Sequence, residues 1–181
     1  MATSSVRFSS FPRTEPPPQF VPSVVRAFAT HERDITTAKL DKGLTSNEVL
    51  QALREDLVGL GFDVESGKTR DHKIERPVFY GENGIPALLY QIDAYQHVWR
   101  CGLEIEAGRD WMGNAVYRDL IQAMVMVQVD HLCLAVPNRY KYRSGGRDVF
   151  STDYANTVAV ADALFGHTRL RVPYGLTVIG Y

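Results

Sequence analysis

The sequence predicts a mixed α/β domain, and three observations carry that prediction. Segments with apolar residues at helical spacing are interspersed with short strand-like runs. Their order along the chain is helix, strand, strand, strand, helix, strand, helix, strand. The chain has 181 residues, 45% of them hydrophobic, which is the size and composition of one ordinary packed core.

Composition also limits function. The 20 Lys and Arg nearly cancel the 21 Asp and Glu, for a formal net charge of −1. The whole-molecule field therefore draws in no polyanion, and any nucleic-acid contact must come from a local patch. No apolar run approaches the roughly 20 residues of a membrane span. Residues 1–12 hold no apolar block that could serve as a signal-peptide core, so the expectation is a cytoplasmic protein without a membrane partner. Cys101 and Cys133 each sit in an apolar stretch without a nearby second cysteine and read as reduced, buried thiols.

Residues 1–22 are Ser-rich and then Pro-rich, with Pro12, Pro16, Pro17, Pro18 and Pro22 leaving few backbone donors. They read as an extended N-terminal arm, anchored by Phe8, Phe11, Phe20 and Val21, ahead of a single domain over 23–181. A short helix is expected over 23–31. The next helix starts at Thr45, because Thr45 and Glu48 have capping-box spacing and Leu44 can staple onto Val49. Val49, Leu50, Leu53, Leu57 and Leu60 continue it at helical spacing, and Gly59 and Gly61 mark its stop. A strand follows over 62–65, then a charged segment, 68–76, without a clear pattern.

Two strands carry the informative residues. Over 88–95, alternation places Leu89, Gln91, Asp93 and Tyr95 on one face. Over 99–106 it places Trp99, Cys101, Leu103 and Ile105 on an apolar face, opposite Arg100, Gly102, Glu104 and Glu106. The short connector 96–98 makes the two strands antiparallel neighbours. Residues 113–128 read as a helix apolar over much of its circumference, with Asn114, Arg118 and Gln122 on one face. A strand over 131–136 ends at Pro137, and a loop, a helix over 152–165 and a strand over 175–179 complete the chain.

Chemistry concentrates at Asp93, Glu104 and Glu106. The period of two points Glu104 and Glu106 the same way, next to the strand that holds Asp93. Carboxylates brought together repel one another, and a cation relieves the repulsion. All-oxygen ligands are hard, which selects Mg²⁺ or Mn²⁺. Alternating acids also arise on the solvated face of an ordinary antiparallel strand, and the three residues alone leave both readings open. The five histidines lack metal-ligand spacing, and no phosphate-binding P-loop or nucleophile elbow is present.

With these residues in place the sequence resembles the PD-(D/E)XK nuclease superfamily, in its Glu-x-Glu variant, over about residues 45–136. The resemblance implies a restriction-endonuclease-like mixed sheet flanked by helices, with core order αβββαβ. Ile92-Asp93 stands at its first acidic motif and Glu104-Ile105-Glu106 at its second. Ile92 replaces the motif's proline, and Glu106 replaces its lysine. What the resemblance implies for the site is that Asp93, Glu104 and the backbone carbonyl of Ile105 bind Mg²⁺ or Mn²⁺. Glu106 would orient or deprotonate the attacking water, making Asp93, Glu104 and Glu106 the catalytic set. The implied activity is metal-dependent phosphodiester hydrolysis, with DNA as the family's usual substrate and a homodimer wherever both strands of a duplex are cut. The alternative is a non-catalytic interaction domain that keeps the fold and binds nucleic acid or protein.

Two basic features bear on nucleic acid. The loop 138–147 interleaves Arg139, Lys141, Arg143 and Arg147 with Tyr140 and Tyr142, so it could grip phosphates and stack on a base, or be a solvated loop. Arg118 could hold a phosphate or neutralise Glu104 or Glu106.

Overall fold

The most apolar strand of the chain, His131–Val136, is buried along its whole length and lies near the centre of the main sheet. A computed structural model describes residues 4–36, 43–67, 69–107 and 114–181. In chain order the elements are β1 (Arg7–Phe11), α1 (Val21–Thr30), α2 (Glu32–Ile35), α3 (Ser46–Gly59), β2 (Phe62–Val64), β3 (Ile74–Tyr80), β4 (Pro86–Ile92), β5 (Ala94–Gln96), β6 (Cys101–Ile105), α4 (Ala115–Val125), β7 (His131–Val136), β8 (Tyr140–Ser144), β9 (Arg147–Ser151), α5 (Asp153–Gly166) and β10 (Gly175–Gly180). Short 3-10 turns at Arg70–His72 and Glu82–Gly84 flank β3.

Six strands form the main sheet in the order β1-β10-β7-β6-β5-β2. β10, β7 and β6 run parallel, and antiparallel neighbours extend the sheet on both sides. Alternation along β7 divides the core in two. Cys133 and Ala135 join Val24 and Phe28 of α1 and Val49, Leu50, Leu53 and Leu57 of α3 on one face. On the other, Leu132, Leu134 and Val136 meet Val116, Leu120 and Ala123 of α4 and Ala161 of α5. A strand covered on both faces has no side to expose, which is why this segment reads as an apolar run. The layers are helix, sheet, helix.

Several expectations hold in detail. Thr45 caps α3, and both halves of its capping box with Glu48 are formed. α3 ends at Gly59, with Gly61 at φ 84° where a side chain would be strained. The antiparallel pairing of the strands on either side of 96–98 is that of β5 with β6. Cys101 and Cys133 are buried free thiols with sulfurs 3.8 Å apart.

Four expectations are corrected. Residues 88–95 are not one strand: β4 ends at Ile92 and pairs with β3 in a separate ribbon, while β5 begins at Ala94 in the main sheet. Asp93 is the corner between the two sheets, where its carbonyl accepts from the Glu65 N–H and its carboxylate from the Ile105 N–H. Residues 138–147 are not a loop. They contribute β8 and the turn of a hairpin with β9, in which Gly145 and Gly146 take φ of 57° and 76°. Two consecutive positive φ values are what a two-residue hairpin turn demands, and Gly-Gly supplies them. α4 is apolar but not enclosed: Val116, Leu120 and Ala123 face the sheet, while Tyr117, Ile121 and Val125 are exposed. Finally, the N-terminal arm read over 1–22 contains β1, which pairs with the chain's own β10, and the start of α1 at Val21.

Candidate active site

The corner at Asp93 opens onto a cavity of about 460 Å³ between the β3–β4 ribbon, β6 and α4. Its walls include Leu89, Tyr90, Gln91 and Ile92 from β4 and Glu104 from β6. Glu65 and Lys73 close one side, and Arg118, Asp119 and Gln122 of α4 the other. The alternation read from the sequence accounts for Glu104. Cys101, Leu103 and Ile105 turn into the core beneath α3, so Glu104 must turn to the α4 side. Arg118 and Gln122, four apart, face the cavity together as helical spacing requires.

Asp93 is fixed by the backbone. Its Oδ2 accepts from the Ile105 N–H at 2.8 Å, tying the β4–β5 corner to β6 next to Glu104. Glu65, whose N–H bonds the Asp93 carbonyl at 2.8 Å, is itself held by Lys73, and Arg54 Nη1 donates to the Glu65 carbonyl at 2.9 Å.

Charge in this corner is lopsided. Glu65, Asp93, Glu104 and Asp119 line the cavity against Lys73 and Arg118, and Lys73 is taken up by Glu65. Burial, reinforced by Glu65 and Asp119, pushes Asp93 up to about 6, although the Ile105 N–H and Lys73 act to lower it. Glu104 is driven well above the ordinary carboxylate range by burial and then by Asp93, Asp119 and Glu106. Asp119 is also raised by burial, against the opposing pull of Glu106 and Arg118.

The expected residues divide. Asp93 and Glu104 share the cavity. Glu106 is not among its lining residues. It is 8% exposed, its N–H bonds the Ala135 carbonyl at 2.9 Å, and its Oε1 accepts from Arg118 Nη2 at 2.8 Å. Ile105 contributes its backbone N–H to Asp93 and its side chain to the core.

Sequence reasoning missed Asp119, Glu65 and Lys73. Asp119 is 2% exposed, its Oδ1 accepts from Arg118, and its Oδ2 has no hydrogen-bond partner among the described residues. The signal was present: Asp119 stands at the buried-stripe spacing of Val116, Leu120 and Ala123, where a carboxylate has no ordinary structural reason to be.

The donor chemistry of the cavity fits a hard divalent cation, since its acidic groups offer oxygens and, among the described residues, four carboxylates face two cations. Among the described residues, no three His, Cys, Asp or Glu side chains close around a single point as a metal-holding group.

The basic segment is partly neutralised. Lys141 pairs with Asp148 at 2.9 Å and Arg143 Nε lies 3.5 Å from the same carboxylate, which belongs to β9 just beyond the loop read from sequence. Arg139 stacks over Phe150 at 4.4 Å, and the Tyr140 and Tyr142 rings stack at 6.4 Å. Arg147 is exposed at the turn. β6 and β7 are parallel, so this hairpin leaves the sheet from the end that carries Glu104.

No family model matches the chain, and no curated protein matches it in sequence. Among solved structures it is similar to restriction endonuclease BglII complexed with a DNA 16-mer, at a TM-score of 0.52 and 9% identity, over 97% of this chain and 75% of that one. At that identity the likeness is one of fold: the chain has a restriction-endonuclease-like mixed sheet flanked by helices. No helix among the described residues is long and apolar enough to cross a membrane.

Proposed function

We propose that this protein is a metal-dependent phosphodiesterase acting on nucleic acid, with DNA as the substrate and Mg²⁺ or Mn²⁺ as the cofactor. The observation that carries the reading is that Asp93, at the β4–β5 corner, and Glu104, on the adjoining strand β6, face one cavity in which neither is compensated by a cation of its own among the described residues. Burying uncompensated carboxylates is costly, and proteins retain such clusters where a ligand repays the cost.

Asp93 and Glu104 would hold the cation, with the Ile105 carbonyl as a third donor from the same strand. When bound, a divalent ion lowers the pKa of water and offsets the negative charge that develops on a scissile phosphate. The chain's own residues supply the rest. The Ile105 N–H holds the Asp93 carboxylate in one orientation, so no rotamer search precedes binding. Leu89, Tyr90 and Ile92 wall off one side and limit water at the site. Arg118 borders the cavity, and Arg139, Lys141, Arg143 and Arg147 on the β8–β9 hairpin would track the phosphate backbone farther out. Cutting both strands of a duplex would take two copies of the chain.

Calorimetric titration with Mn²⁺ tests the reading. The wild type should bind the ion and nick a supercoiled plasmid, and Asp93→Ala should lose both. Binding that survives Asp93→Ala, or no binding by the wild type, would remove the proposal. Binding without cleavage of any nucleic acid would favour the non-catalytic interaction domain.

A further inference from the structure

The α4 wall of the cavity contains a cation that is anchored at its base and open at its face. Arg118 Nη2 donates to Glu106 Oε1 at 2.8 Å, and its Nε donates to Asp119 Oδ1 at 3.0 Å. The two carboxylate side chains are 11% and 1% exposed, whereas that of Arg118 is 58% exposed. Burial opposes the arginine's charge, but Asp119, Glu106 and Glu104 together more than offset it. An exposed arginine normally loses considerable side-chain entropy when it takes up one geometry. Here two buried acceptors have already imposed that geometry, so little of the loss remains for ligand binding.

Among the described residues Lys73 is the other cation on the cavity wall, and it is 21% exposed and committed to Glu65. Of these two, Arg118 is the one with a solvent-facing guanidinium. Its planar fork matches a phosphate in a way an ammonium does not. Nη1 takes no part in either carboxylate bond.

The geometry points to a phosphate-binding subsite made by Arg118, with Glu106 and Asp119 as positioning residues that hold the guanidinium at the cavity edge. This inference rests on the nuclease reading for the identity of the phosphate, a nucleic-acid backbone. It changes the role of Glu106, which acts through Arg118 and not on water. The surplus of carboxylates at this corner means that a phosphate would be repelled until a divalent cation is present, so the subsite works only with the metal-loaded protein.

The test is binding of a short fluorescein-labelled phosphorothioate DNA duplex, read by anisotropy over a salt series in Mn²⁺. Arg118→Ala should weaken binding by about tenfold and reduce the slope of log K against log salt by about one. Adding Glu106→Lys to that variant returns a cation beside Asp119, and both quantities should recover. Arg118→Gln keeps donors for the two carboxylates without the charge, and should lose the same slope even if Arg118→Ala fails to fold. A variant that melts lower but keeps wild-type affinity and slope would make Arg118 a structural counter-ion and overturn the subsite. A wild type that does not bind the duplex in Mn²⁺ would remove the nuclease reading instead. Calorimetry with inorganic pyrophosphate and Mn²⁺ then decides the subsite separately: loss of binding in Arg118→Gln upholds it, and no binding by the wild type overturns it.

Discussion

Asp93 is a residue that folding alone would not choose. Its carboxylate is useful to the backbone, because it accepts the Ile105 N–H, but an amide oxygen would serve that bond as well. Its charge has a cost. Between its ordinary value of 3.8 and about 6, the folded protein keeps a proton at Asp93 that the unfolded chain releases. The folded state binds more protons in that window, so stability falls as pH rises through it and stays lower above it. A shift of this size corresponds to at most about 3 kcal/mol. Asp93→Asn should therefore raise the melting temperature at pH 7 in chelator, flatten the pH dependence between about 4 and 6, and abolish Mn²⁺ binding. Thermal melts across that range check it. A variant that melts lower than the wild type at pH 7 would show that the charge is needed for the fold. Mn²⁺ should raise the wild-type melting temperature at pH 7 more than at pH 4, because protonation and the cation compete for the same oxygens.

At the scale of elements, legibility tracked how local the cause was. The start of α3 was readable because Thr45 and Glu48 satisfy each other within one turn. β7 was readable because burial on both faces leaves an unbroken apolar run. The break between β4 and β5 was not, since alternation continues through Asp93 and the corner is made by bonds to Glu65 and Ile105, distant in sequence. The β8–β9 hairpin could have been read from alternating residues around Gly145-Gly146, but its basic character drew attention first. In the cavity, Glu104 followed from strand period, whereas Asp93 stands at the corner that the alternation did not show. Asp119 was hidden in a helix read as apolar over much of its circumference. Gly102 gives a prediction at this scale. A Cβ there would come 2.3 Å from Cδ1 of Ile92, the residue before Asp93. Gly102→Ala should cost about 1–3 kcal/mol by overpacking, and Ile92→Val in the same chain should recover part of it. A double-mutant cycle in urea measures the coupling; additive costs would mean that β4 and β6 are not in contact there.

At the scale of the whole molecule, the main sheet is sealed by its most N-terminal strand. β1 pairs along its full length with β10, from Arg7 opposite Gly180 to Phe11 opposite Leu176. Phe11 belongs to the core beneath α4 and α5. Removing residues 1–12 would expose the long apolar edge of β10, and the shortened protein should melt lower and aggregate at concentrations where the full chain stays dispersed. Light scattering during a thermal ramp checks this, and a truncated chain that remains dispersed would show that β1 is an accessory. The pairing also sets a timetable during synthesis. β1 leaves the ribosome long before the strand it must join, and until β10 follows, β7 borders an unfinished sheet with its backbone edge unpaired and its apolar side chains incompletely covered. The nascent chain is most vulnerable to wrong partners in that interval, so a slowly translated or stalled message should yield more misassembled protein than a fast one.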